Sequence, residues 1–322
     1  MTHHSPRSMS EAWHGMCSRR QALALLVSGA AAPAMPAAAE PVAPLRLAVS
    51  ESLVTDVNTN DASAAMSIWV KRLAQEMNIV VDYNAKAFDP TQEILSRARK
   101  GLLDAVALNV LEYRQVADNL DASQVVAEGG SVGPEQYLIL VKNNSSFQKP
   151  LDLRGARLMM LKNPRMCVAP AWLSTILDGG YSGPWDKFFA TVGSDSKVGR
   201  VVLPVFFGQA DACVATRRGF DSMCELNPQV AKELRTIAAS PSMVVNGYVF
   251  RKNYQSVYRD RFVKALSGLR STVAGRQIAI LFQFEELTLR DASCFASALS
   301  LLDAADRIRN RHGVAGRKGA SL

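Results

Sequence analysis

Gly101-Leu102-Leu103-Asp104-Ala105-Val106 and Gly208-Gln209-Ala210-Asp211-Ala212-Cys213 carry one pattern at two places in a 322-residue chain. Each is a glycine placed to end a helix, a two-residue link, and an apolar run that opens on Asp-Ala. Glycine suits the first position because helices often stop on a left-handed residue, a conformation it adopts without steric cost. The short apolar run that follows reads as a strand covered on both faces. Two such units predict two similarly wound α/β lobes.

Around the first unit, Leu45 to Val49 reads as a strand, and Asn60 or Asp61 caps a helix running from about Ala62 to Met77. Ile79 to Tyr83 is the next strand, and Asp89-Pro90-Thr91-Gln92 starts a helix that stops at Gly101. Leu102 to Leu108 follows as a third strand, with Asn109 and Glu112 able to cap the helix after it. Strands separated by helices require crossovers, hence parallel neighbours. Around the second unit, strands are expected at Tyr137 to Val141, Arg157 to Leu161, Asp211 to Ala215 and Leu234 to Ala238. The helices there carry Pro170, span Val198 to Phe207, and begin at Asn227-Pro228. The run Met243 to Phe250 and the helices from about Tyr254 return to the first lobe. The expected fold is therefore α/β and two-lobed, with mixed sheets and helices on both faces. Lobe I takes residues 40–135 and 241–306 and lobe II residues 136–240, with hinge crossovers near Gly133 to Tyr137 and Ser240 to Val245.

The ends read differently. Residues 1–39 pass from a polar, basic start through Arg19-Arg20 and an apolar stretch to Ala37-x-Ala39. That is the layout of a cleavable export signal, twin-arginine-like, cut near Ala39 and addressing the protein to the periplasm. Residues 307–322 are basic and read as a disordered tail. The net charge of +8 lies mostly in these two ends. Residues 40–306 are nearly neutral and offer no basic stripe for nucleic acid.

His3, His4, His14 and His312 are the only histidines, all outside residues 40–306. A Ser-His-Asp triad, a Cys-His pair or a His-rich zinc site cannot be assembled there. No phosphate-cradling glycine motif occurs, and no cofactor or metal is expected. Cys167, Cys213, Cys224 and Cys294 read as buried thiols, with Cys213 to Cys224 as the one candidate bridge.

Three segments carry a family likeness: Leu151-Asp152-Leu153-Arg154-Gly155, Val205-Phe206-Phe207-Gly208-Gln209-Ala210-Asp211-Ala212, and Asn227-Pro228-Gln229 followed by Leu234 to Pro241. In this order they resemble the extracytoplasmic solute-binding proteins of the phosphate, phosphite and phosphonate ABC-transporter type. The resemblance implies a type II periplasmic binding fold whose lobes close on a small solute. In phosphonate binders the loop matching Asn163 to Ala169 is rich in serine, threonine and glycine. Here it has no hydroxyl, and Arg165 would supply a charged contact to an anion instead.

Open α/β sheets bind ligands beyond the carboxyl ends of their strands, where unpaired helix amides favour negative charge. That rule nominates Ser50, Glu51, Ser52 and Asn109 in lobe I and Asn163, Arg165, Cys167, Thr216, Arg217 and Arg218 in lobe II. Tyr137 at the crossover and Asp211 in the shared pattern complete the set. Each has a plainer reading: Asn109 with Glu112 as a helix cap, Arg217 as a solvated charge, Asp211 as a local ion pair. The chain is thus expected to act not as an enzyme but as a monomer that binds a small, anionic solute. It would deliver that solute to an ABC permease, or report it to a membrane-bound sensor. A thiol enzyme using Cys167, with Glu51 or Asp211 as base, is the remaining alternative.

Overall fold

Leu45–Val49 (β1) is apolar except at Arg46, which lets it lie inside a sheet. The computed structural model describes residues 42–54, 59–83, 88–129, 134–281 and 284–318. The expected export leader, residues 1–39, lies outside the described residues. After β1 come α1 (Thr59–Glu76), β2 (Val81–Tyr83), α2 (Thr91–Arg99), β3 (Ala105–Asn109), α3 (Val110–Val116) and β4 (Leu120–Gly129). The chain then crosses to a second group: β5 (Tyr137–Lys142), β6 (Arg157–Leu161), α4 (Ala169–Leu177), β7 (Thr191–Asp195), α5 (Val198–Phe206), β8 (Ala212–Thr216), α6 (Arg217–Leu226), α7 (Pro228–Glu233) and β9 (Leu234–Ala239). It returns with β10 (Asn246–Arg251), α8 (Val257–Ser267), α9 (Val273–Leu281), β11 (Glu286–Arg290) and α10 (Ala296–Lys318).

The strands form two sheets, ordered β11-β4-β10-β3-β1-β2 and β7-β6-β8-β5-β9. In each, the strands linked through helices run parallel: β1 with β2 and β3, and β6 with β7 and β8. Strands beside a crossover pair antiparallel, as β10 does with β3 and β4, and β5 with β8 and β9. This is the mixed two-lobed α/β architecture expected. The sequence reading missed β4, β7 and β11. β7, Thr191-Val-Gly-Ser-Asp, is an edge strand that buries little and so carries no apolar run. β4 carries Asp121, Ser123 and Gln124 in its first half and, Leu120 apart, is buried only in its second half. β11 is an edge strand with one buried residue, Leu287.

The repeated pattern has a structural cause. Arg46 donates its backbone N and Nε to Asp104 Oδ2 at 3.1 and 2.8 Å, and Nη2 to Asp104 Oδ1 at 2.7 Å and Gly101 O at 3.1 Å. Arg157 does the same in the other sheet. Its N and Nε reach Asp211 Oδ2 at 2.7 and 3.1 Å, and its Nη2 reaches Asp211 Oδ1 at 2.7 Å and Gly208 O at 3.2 Å. Each clamp ties the second residue or the first of one strand to the loop entering its neighbour. Gly101 and Gly208 have φ of 65° and 73°, the left-handed conformation the turn requires.

The two crossover segments pair with each other: Glu135 and Met243 exchange backbone bonds, both at 2.8 Å. Beside them Ser240 Oγ accepts from Tyr137 N at 2.9 Å, and Gln136 Nε2 donates to Ser240 O at 2.7 Å.

The C-terminal reading needs correction. The basic stretch expected to be disordered is helical as far as Lys318, continuing α10. Arg311 Nη1 and His312 Nε2 both meet Asp178, just beyond α4, at 3.1 Å. On the same helix Asp303 and Asp306 pair with Arg114 of α3 at 2.6 and 2.7 Å. α10 thus touches helices of both sheets, whereas the sequence reading gave residues 241–306 to lobe I and set residues 307–322 apart as a tail. Burial of Leu302, Ala298 and Ala305 explains why the helix docks.

Candidate functional site

Residues from both sheets and both crossovers enclose a cavity of about 380 Å³, within the range typical of small-molecule sites. β3, β4, β10 and β11 of the first sheet contribute Ala107, Val126, Tyr248 and Leu287. The second sheet contributes Asn163 to Arg165, after β6, and Ser196 to Val198, after β7. Met243 to Val245 and Glu135 come from the crossovers, so the cavity lies where relative motion of the two sheets would open or close it. Most of the wall is apolar.

Its polar part is an ion-pair cluster. Arg165 Nη1 donates to Glu128 Oε2 at 2.7 Å and to Glu135 Oε2 at 2.9 Å. Arg218 Nη2 donates to Glu128 Oε1 at 2.7 Å. Arg165 and Glu135 are buried, with 8% and 3% exposure. Burial pushes the Glu135 carboxyl above its ordinary value, only partly offset by Arg165. Burial also works against the charge on Arg165, but Glu128 and Glu135 more than offset it and the guanidinium stays protonated.

Of the residues nominated from sequence, Asn163 and Arg165 line this cavity. Asn163 Oδ1 accepts from Arg165 N at 3.1 Å and so shapes the turn that aims the arginine. Ser50 and Asn109 come together in a different cluster, beyond the carboxyl ends of β1 and β3. Ser50 Oγ, Thr91 Oγ1 and Asn109 N donate to the Glu112 carboxylate at 2.6, 2.7 and 3.0 Å. Asn109 is a helix cap, its Oδ1 accepting from Glu112 N at 3.0 Å. Glu51 is exposed, and its Oε1 accepts from Thr91 N at 3.4 Å.

The rest stand away from the cavity wall. Tyr137, expected to lie against a ligand, is fully buried; its hydroxyl donates to Arg165 O at 2.6 Å and its ring packs on Trp172. It braces the arginine turn from behind. Asp211 lies at the amino end of β8, away from the strand end that binding requires, because it belongs to the Arg157 clamp. Thr216 caps α6, accepting from Gly219 N at 3.1 Å. Arg217 Nε donates to Gln136 Oε1 at 2.5 Å, tying α6 to the crossover. Cys167 ends the turn before α4, and burial pushes its thiol up to about 12. A thiol so held stays protonated at neutral pH, which opposes the thiolate needed of a nucleophile. All four described cysteines are free, so the candidate Cys213 to Cys224 bridge is not formed.

The sequence reading missed Glu128, Glu135 and Asn246. Glu135 stands two residues before Tyr137, at the crossover already singled out, and that position was the available signal. Glu128 lies on the unrecognised strand β4.

Residues 52–293 match the family model of the periplasmic substrate-binding protein of phosphonate ABC transporters. The chain belongs to this family. No curated protein matches the chain in sequence. Among solved structures, the chain resembles a binding protein component of an ABC phosphonate transporter from Pseudomonas aeruginosa, at 13% identity and a TM-score of 0.54, over 84% of this chain and 89% of that one. A Xanthomonas citri protein bound to ATP is similar at 14% identity and a TM-score of 0.56, over 83% and 98%. A Prochlorococcus marinus protein in complex with methylphosphonate matches at 14% identity and 0.54, over 82% and 98%. These likenesses agree on the fold of two-lobed periplasmic binding proteins, as the sequence resemblance implied.

Proposed function

We propose that this family member captures a small solute in the cavity between its two sheets and hands it, chemically unchanged, to an ABC permease. The observation that supports this is the cavity itself, walled from both sheets at the paired crossover segments, where a bound molecule favours the closed arrangement over the open one. Export through the leader at residues 1–39, cleavage near Ala39 and action as a monomer in the periplasm belong to the same reading. The sequence reading adds that the solute is anionic, with Arg165 as its contact. The geometry favours capture over that finer statement, because Arg165 already faces two carboxylates.

Native mass spectrometry of the protein purified from its own periplasm tests the proposal. The expected spectrum shows a small-molecule adduct that leaves intact on denaturation. A ligand-free spectrum, together with a melting temperature unmoved by broad solute screens, would overturn it.

A further inference from the structure

We propose that Glu128 is a latch across the cleft: its carboxylate holds the two sheets together through Arg165 and Arg218, and an anionic solute competes with it for those guanidiniums. The inference rests on the capture reading above and names the residue that regulates capture.

The crossover is fastened to the second sheet. Gln136 O accepts from Arg217 N at 2.7 Å, and Gln136 Oε1 from Arg217 Nε at 2.5 Å. Tyr137 opens β5, and its hydroxyl donates to Arg165 O at 2.6 Å. Just before them, Glu135 Oε2 accepts from Arg165 Nη1 at 2.9 Å. Rotation of one sheet against the other therefore carries Glu135 along with Arg165, and their ion pair survives it.

Glu128 belongs to the other body. It sits on β4, opposite Leu287 of β11 in the ladder of the first sheet. From there its two oxygens reach across the cleft. Oε2 accepts from Arg165 Nη1, on the turn before α4, and Oε1 from Arg218 Nη2, on α6, both at 2.7 Å. Among the described residues, two acidic side chains line the cavity, and of these Glu128 is the one carried by a strand of the first sheet. Its side chain is 15% exposed and that of Arg165 9%, so these charge-assisted contacts are little screened and favour the closed arrangement.

Opening the cleft breaks both contacts at once. Arg165 and Arg218 then stand against the single carboxylate of Glu135, and Lys197, exposed on the cavity rim, adds to the positive charge. Such a cluster in a cleft draws anions towards it. A solute oxyanion that settles there supplies the negative charge that Glu128 supplies in the latched form, so each excludes the other.

Small-angle X-ray scattering of the whole exported protein, stripped of solute by exhaustive dialysis, reads the latch. Glu128→Gln is expected to have a larger radius of gyration than the unaltered protein, and saturating methylphosphonate should bring it back. Arg218→Gln, which leaves the cavity wall intact and breaks one of the two pairs, should fall between them. Glu135→Gln, whose contact moves with the arginine, should leave the radius unchanged. Calorimetric titration gives the second readout: Glu128→Gln should bind methylphosphonate at least about tenfold more tightly than the unaltered protein, because the competing closed form is less populated. Unchanged radii in both Glu128→Gln and Arg218→Gln would overturn the latch, as would a radius that grows equally in Glu135→Gln. Equal methylphosphonate affinity, or no binding by either protein, would overturn the competition. Capture is judged separately, by the adduct in the native spectrum of the periplasmic protein, so a failed latch with an adduct present leaves that reading standing.

Discussion

Asp121, at the start of β4, shows how a single carboxylate sets acid stability. Burial pushes its pKa up, but Ser123 and Arg259 outweigh that and hold it at about 2. Ser123 donates its N and Oγ at 2.9 and 2.7 Å, and the Arg259 guanidinium makes the third contact. Because the folded value lies below the ordinary aspartate value of 3.8, the ionised form favours the fold. Its contribution is complete above the unfolded pKa and disappears as pH falls through the folded one. Asp121→Asn is therefore expected to lower stability by about 1–3 kcal/mol at neutral pH and to flatten the loss between about pH 4 and pH 2, read by urea unfolding across that window. Arg165 gives the opposite case. Arg165→Leu leaves Glu128 and Glu135 enclosed with less countercharge and should cost about 3–5 kcal/mol at neutral pH. Since Glu135 is already raised and rises further without the arginine, that cost should shrink as pH falls and Glu135 takes up a proton. A cost independent of pH would show that packing, not charge, is what the arginine supplies.

At the scale of elements, the two Arg-Asp-Gly clamps form a natural pair for comparison. Both tie a strand to the loop entering its neighbour with the same four contacts, yet the Asp104 side chain is 5% exposed and that of Asp211 29%. Asp104 also receives Arg251 Nη2 at 3.2 Å. Burial raises the Asp104 pKa, and Arg46 and Arg251 reverse that and hold it below the ordinary range. Asp104→Ala strands the Arg46 backbone N–H and two half-buried guanidiniums and should cost about 2–4 kcal/mol. Asp211→Ala, in a solvent-screened setting, should cost about 1 kcal/mol. Equal shifts in thermal melting would show that burial does not govern the clamps. Sequence displayed the clamps as a repeated phrase but not their partners, because Arg46 and Arg157 lie more than fifty residues from the aspartates they hold.

For the molecule as a whole, α10 is a helix that touches both halves, through Asp178 after α4 and through Arg114 of α3. A chain ending at Phe295 loses these ion pairs and uncovers the apolar surface beneath Leu302 and Ala305. Calorimetry of that shortened chain is expected to show two transitions where the full chain shows one, because less packing couples the sheets. A single transition at an unchanged temperature would deny α10 this role. The cavity belongs to the same scale: its walls come from four strands and the segments between elements, brought together only when both sheets and both crossovers are in place.

Sequence by itself determined the α/β class, the two wound units, the places where the chain changes sheet, and the family likeness. These follow from apolar periodicity, caps and helix-stopping glycines, all local signals that survive in one dimension. Edge strands β7 and β11 escaped because a strand that buries few side chains needs no apolar run. Only the tertiary structure decided what faces what. It spent Asp211 on a clamp, placed Tyr137 behind the arginine turn, and set Glu128 and Glu135 against Arg165. Charge compensation depends on distances of a few ångströms between residues far apart in the chain, and no spacing rule along the sequence encodes that.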